Sequence, residues 1–258
     1  MRPSILGVGL DPIGSRDELI GRFRSLLEAP ATHAVYTPNP EILLYARDHP
    51  GFAALLDSAD LLLPDGVGVV LVQSLRRGPP LRRWVGVDAA ELLVDLAADL
   101  SLPITLVGGT GGAAGAAADH LRRARPGLRV EVAGDGVRVG DDGVEASTEE
   151  ATRIEEAILG SGSGVVLVAF GAPKQERWIA RRRSDFPDVR VMMGVGGAFD
   201  MWAGRFPRAP GSVRALGLEW LWRLAHQPSR LPRTLRATVV FPWHALRNGG
   251  RVRTRPDA

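Results

Sequence analysis

The chain has 258 residues, 45% hydrophobic and 6% aromatic, with no cysteine. It is long enough to bury a sizeable α/β core, and disulfides and thiolate metal sites are excluded. The net charge of +3 conceals an asymmetry: residues 201–258 carry eleven arginines against Glu219 and Asp257, a local net of +9 that leaves −6 for the first 200. Such a segment calls for an anionic partner, whether phosphate, nucleic acid or lipid headgroup, or else is a solvated tail in a chain whose only lysine is Lys174.

The opening stretch MRPSILGVGLDPIGSRDEL has an apolar run too short for a signal peptide, with Asp11 following at once. No run of about 18 apolar residues occurs, so a cytoplasmic or at most peripheral protein is expected. Short apolar runs at 5–10, 33–37, 61–64, 104–109, 128–134, 165–170 and 189–197 predict strands. Between them, 16–28, 40–57, 88–100, 112–124, 148–160 and 174–184 predict helices. Strand–helix alternation with continuous apolar strands predicts an α/β fold: a Rossmann-like, mostly parallel sheet with helices on both faces. The stretch 134–147 reads as a hairpin or loop. The pattern changes around 204–212, which predicts a core over 1–204 and a small, basic, helical C-terminal appendage over 205–258. Its last residues, RVRTRPDA, are expected to be disordered.

In such folds ligands bind beyond the carboxyl ends of the strands, so residues that follow strands are the candidates. Thr37-Pro38-Asn39 offers a hydroxyl and a carboxamide to a sugar or base, although Asn39-Pro40 also reads as a helix cap. Asp65, beside a glycine at a strand end, stands where a general base belongs, although Pro-Asp-Gly is also ordinary turn chemistry. The loop GGTGGAAG (108–115), with Gly108 and Gly109 at its start, lets backbone N–H groups approach a diphosphate. With Glu131 it also matches a dinucleotide fingerprint, so an NAD(P)-dependent sugar-nucleotide oxidoreductase is the alternative. Lys174 and Gln175 open a predicted helix and can reach phosphate and sugar oxygens. Asp200 reads as a structural partner of Arg205 or Arg208. Arg223, Arg230 and Arg233 lie among Trp220, Trp222 and Pro228, a mixture suited to phosphate and to a membrane interface. A further reading takes this segment as a non-catalytic membrane or nucleic-acid module. The five histidines are scattered and no Asp-x-Asp is present, so nothing here calls for a metal.

Taken together, the blocks TPNPE, ADLLLPDGVGVV, RWVGVD, LVGG, GAPKQE, GVGGAFD, AGRFPRAP and GLEWLWRL..QPSRLPR, in that order between about residues 5 and 235, resemble the WecG/TagA/CpsF family, glycosyltransferase family 26. The resemblance implies an inverting, metal-independent transfer of an N-acetylmannosamine-type sugar. The donor is a UDP-sugar, with no cofactor, and the acceptor an undecaprenyl-diphosphate-linked sugar in teichoic-acid-like or polysaccharide biosynthesis. It implies Asp65 as general base, Thr37, Asn39 and Gln175 as pocket residues, and Arg83 as a pocket cation for the departing phosphate. Arg223, Arg230 and Arg233 match basic residues of an appendage that reaches the anionic inner face of the membrane and completes the site. Nucleic acid is not an expected partner, and a homo-oligomer with an incomplete site is one form open to the soluble protein. One departure is Gly136-Val137-Arg138, where the family commonly has an aromatic pair.

Overall fold

The computed structural model describes residues 2–247, so the RVRTRPDA segment lies outside the described residues. The first predicted strand is instead a hairpin, β1 (Ser4–Ile5) and β2 (Val8–Gly9), paired antiparallel. Its turn residues Leu6 and Gly7 both have positive φ, the geometry that tight two-residue hairpin turns need. Then follow α1 (Arg16–Glu28), β3 (His33–Tyr36), α2 (Pro40–Asp48), α3 (Pro50–Asp57), β4 (Leu61–Leu62), α4 (Val67–Leu75) and α5 (Gly86–Asp99). The chain continues through β5 (Ile104–Gly108), α6 (Ala113–Ala124), β6 (Val130–Ala133), α7 (Thr148–Ser161), β7 (Val165–Ala169), α8 (Lys174–Arg182), β8 (Val191–Gly194) and α9 (Ala198–Trp202). Short helices α10 (Gly211–Ala215), α11 (Glu219–His226), α12 (Leu231–Leu235) and α13 (Phe241–Arg247) end the described chain.

Six strands form one parallel sheet in the order β4-β3-β8-β7-β5-β6. Its strands are mostly apolar on both faces because both are covered, with Thr105 of β5 hydrogen-bonded to Ser161 and Ser163 and Glu131 exposed on the edge strand β6. Val35, Leu61, Leu106, Leu167 and Met193 face a cluster with Phe23 of α1, Leu93 of α5, Ala117 of α6 and Phe199 of α9. Their neighbours Ala34, Leu62, Val107, Val168 and Met192 face Leu43 of α2, Leu56 of α3, Ile154 of α7 and Trp178 of α8. Each fully buried aliphatic side chain contributes about 1.5–3 kcal/mol of transfer free energy, which is why the central strands show no polar alternation and the buried Thr105 of β5 is hydrogen-bonded. Phe241 and Ala245 of α13 are buried in the second cluster with Val69 and Val72 of α4, so the C-terminal helices are seated on the sheet's own packing.

Two helix expectations change. The run 40–57 divides at His49, because Pro50 disfavours helical backbone in the residue before it and starts α3 as a first-turn proline. The segment after Asp65 is a helix, α4, although its valine-rich sequence carries no clear helical period. The 134–147 stretch is a loop closed by one antiparallel bridge, Val139 to Glu145. It is held to α8 by Trp178, whose Nε1 donates to Glu145 Oε1 at 2.7 Å and whose ring meets Phe170 edge-on. Trp178→Ala should empty a fully buried site and release this loop, lowering unfolding free energy by about 3–5 kcal/mol in urea denaturation.

Candidate functional site at the carboxyl edge of the sheet

The loops after β3, β4 and β8 emerge side by side, because those strands are neighbours. Asp65 follows β4 and accepts hydrogen bonds from the backbone N–H groups of Gly86 and Gly66. Gly86 is the first residue of α5, so the carboxylate stands at a helix N-terminus, where the dipole favours negative charge. The packing there is close. A Cβ on Gly86 would lie 2.9 Å from Thr37 Oγ1 and 3.8 Å from Asp65 Oδ2, so Gly86 brings the hydroxyl and the carboxylate to one point. Burial pushes the Asp65 carboxyl up to about 6; the Gly86 N–H and the Arg83 guanidinium oppose this, and the Glu219 carboxylate adds to it.

Arg83 precedes α5 and is held by the C-terminal helices. Its Nη2 donates to Glu219 Oε2 at 2.9 Å and more weakly to the Arg214 carbonyl at 3.4 Å. On the neighbouring strand end, Gln175 is buried at the start of α8. Its Oε1 accepts from Gly196 N–H at 3.0 Å and its Nε2 donates to Glu176 Oε1 at 2.9 Å. Arg223 of α11 lies against the same loop: a Cβ on Gly197 would stand 2.9 Å from its Nη2. Arg230 is half-buried, and burial followed by repulsion from Arg223 pulls its pKa down, with Glu41 of α2 opposing. Arg233 contributes to the same field from an exposed position. Among the described residues, Arg223, Arg230 and Arg233 form no ion pair within 4.0 Å. Partly buried, mutually repelling cations of this kind suit a multiply charged anion.

Asp65, Thr37, Arg83, Gln175 and Arg223 thus line one edge. Asn39 is nearby but used as a cap: its Oδ1 accepts from Glu41 and Ile42 N–H, which leaves only its amide nitrogen for a ligand. Lys174 turns to Asp141, Nζ to Oδ1 at 3.7 Å. Gly108 and Gly109 lie at the end of β5, two strands beyond β8, beside Phe170, Phe199 and Asp135. The carbonyls of Thr110 and Gly111 bind Arg205, which also pairs with Asp200 at 3.2 Å, the structural pairing expected for that aspartate. Glu131 is the second residue of β6, paired with Thr105 and exposed, so it sits towards the strand's start rather than at its carboxyl end. The acid beside the glycine loop is Asp135, just beyond the carboxyl end of β6, and not Glu131. Sequence reasoning assigned no role to Gly86 or Glu219. The available signals were a glycine just before a predicted helix and a lone acid among arginines.

Among the described residues, no group of three or more histidine, aspartate or glutamate side chains converges on a potential metal position. No helix there is long and apolar enough to cross a membrane. Residues 3–255 match the family model described as Glycosyl transferase WecG/TagA/CpsF family. A relative from Bacillus spizizenii, named N-acetylglucosaminyldiphosphoundecaprenol N-acetyl-beta-D-mannosaminyltransferase, is 33% identical over 201 residues. That match covers 78% of this chain and 74% of the relative.

Behind the site, Glu176 is almost wholly buried and its Oε2 has no hydrogen-bond partner among the described residues. Burial pushes its carboxyl up to about 7, against the opposing Gln175 hydrogen bond. The folded chain therefore keeps a proton that the unfolded chain releases nearer the ordinary glutamate range. The group's contribution to stability declines as pH rises through about 7. Glu176→Gln keeps an acceptor for Gln175 without the charge; in thermal melts it should raise Tm at pH 8 by roughly 4 °C or more and leave it nearly unchanged at pH 5.

Proposed function

The chain belongs to the WecG/TagA/CpsF family of glycosyl transferases and is a hexosyltransferase, and on that premise we propose that it moves an N-acetylmannosamine-type sugar from a UDP-sugar to an undecaprenyl-diphosphate-linked sugar. The relative's name supports the acceptor class, since it describes transfer to an N-acetylglucosaminyl diphosphoundecaprenol. The single observation that carries the reading is Asp65: a half-buried carboxylate at the carboxyl edge of the sheet, with its pKa pushed up to about 6, on the edge where α11 brings Glu219 to Arg83 and Arg223 to Gly197.

In the proposed reaction Asp65 takes the proton from the acceptor hydroxyl as that oxygen forms a bond to the anomeric carbon. The bond from that carbon to the diphosphate oxygen breaks on the opposite face, giving inversion, and its electron pair leaves with UDP. Arg223 and Arg230, which among the described residues form no ion pair with a carboxylate, suit the developing phosphate charge better than Arg83, which Glu219 already occupies. With arginines in that role, the reaction proceeds without a metal. Exposed Leu71 and Leu75 of α4 and exposed Val239, Trp243 and Leu246 occur with exposed Arg236 and Arg247 on packed helices, since α13 lies against α4. This apolar and cationic mixture supports peripheral attachment to the anionic inner face of the membrane, where the lipid-linked acceptor resides.

The test is UDP release from a panel of UDP-N-acetylhexosamines with a lipid-diphosphate-sugar acceptor. Acceptor-dependent turnover that survives EDTA is expected, and Asp65→Asn should lower kcat by about 10²–10⁴. No turnover with any donor in folded protein overturns the reading, and full activity of the variant moves the base elsewhere. Because the base must be ionised, kcat/KM should fall as pH drops through about 6, measurable in a pH–rate profile.

A further inference from the structure

Glu219 and Arg223 are four residues apart on α11 and therefore share one face of the helix. The first binds Arg83 beside Asp65, and the second lies against Gly197 beyond β8. One short helix thus touches both halves of the site, the half with the carboxylate and the half with the free cations. The Arg83–Glu219 pair is only about a fifth exposed, at 21% and 23%. Glu219 is also one of only two acids among eleven arginines in the C-terminal segment. Among the described residues Arg83 makes no ion pair with Asp65 within 4.0 Å, although its charge acts on that carboxylate.

We propose that Glu219 is a positioning residue for the transfer reaction: it holds the Arg83 guanidinium on α11 and off Asp65, so the base is competent only when α11 is seated. The inference rests on Asp65 being the base. The groups that act on Asp65 are Arg83 from the segment before α5, Glu219 from α11, and the N–H groups of Gly86 and Gly66. Glu219 also faces Arg208 from the segment before α10. Without Glu219, Arg83, whose charge acts on Asp65, loses its carboxylate partner, and an aspartate paired with a guanidinium is a weaker base.

The test measures kcat, KM and the acid limb of the pH–rate profile for full-length wild type, Glu219→Gln, Glu219→Asp and the double variant Arg83→Met/Glu219→Gln. Glu219→Gln should lower kcat about ten-fold with little change in KM, and should move the acid limb to lower pH. Glu219→Asp, which keeps the charge, should recover part of kcat and the wild-type limb. In the double variant the Arg83 guanidinium, the cation that acts on Asp65, is gone, so the limb should return towards wild type whatever its kcat. An unmoved limb in Glu219→Gln, or a limb that stays low in the double variant, overturns the proposal. Equal losses in the Gln and Asp variants with no change of profile also overturn it, since they mark a purely structural role. Absence of turnover in the wild type would instead reject the transferase reading itself.

Discussion

The constraint on which the rest depends is that the central strands are buried on both faces. β7 and β8 have neighbours on each side and helices above and below, so a polar side chain within them would have to be desolvated without water to compensate. Chemistry is confined to the strand ends. Because the strands are parallel, all their carboxyl ends lie along one edge, and the strand order decides which loops meet there. The order β4-β3-β8 brings Asp65, Thr37 and the Gly194–Gly197 loop together although they come from distant parts of the chain. The same order holds the glycine-rich loop after β5 two strands away, where its carbonyls bind Arg205.

The edge is unfinished without the C-terminal helices. Phe241 anchors them by ordinary apolar burial against α4, while α11 contributes polar contacts, Glu219 to Arg83 and Arg223 to Gly197. Apolar anchoring sets where the segment lies, and the directional contacts set how α11 meets the loops. The charge imbalance of the chain then becomes intelligible. Residues 201–258 carry a net of +9 and the first 200 a net of −6, and among the described residues Arg223 and Arg230 form no ion pair within 4.0 Å, which suits an anionic ligand. Among the described residues of this segment the one acid, Glu219, is paired with Arg83, whose charge acts on Asp65.

Much of the architecture was legible beforehand because parallel strands buried on two faces are dominated by apolar residues, and such runs are visible at 104–108, where the one polar residue Thr105 is hydrogen-bonded to Ser161 and Ser163, and at 165–169 and 191–194. The opening run was misread because Leu6 and Gly7 take positive φ, a backbone choice that apolarity does not signal. Helix α4 was missed because its valines and glycines resemble a strand, and tertiary packing against α13 overrides that propensity.

Within the site, what the sequence by itself determined was the type of group at each strand end: a carboxylate at 65, a hydroxyl at 37, an amide at 175 and arginines beyond 220. These identities follow from motifs; the first three lie within a few residues of a strand end, and the arginines lie on helices well beyond β8. Which of them meet was decided only by tertiary structure, since strand order is set by long-range packing and not by neighbours in the chain. That decision separated Lys174 and Gly109 from Asp65, turned Asn39 into a cap and joined Glu219 to Arg83 across 136 positions. An ion pair between such distant residues has no local sequence signature, because its energy depends on a separation that exists only once the sheet and the C-terminal helices have packed.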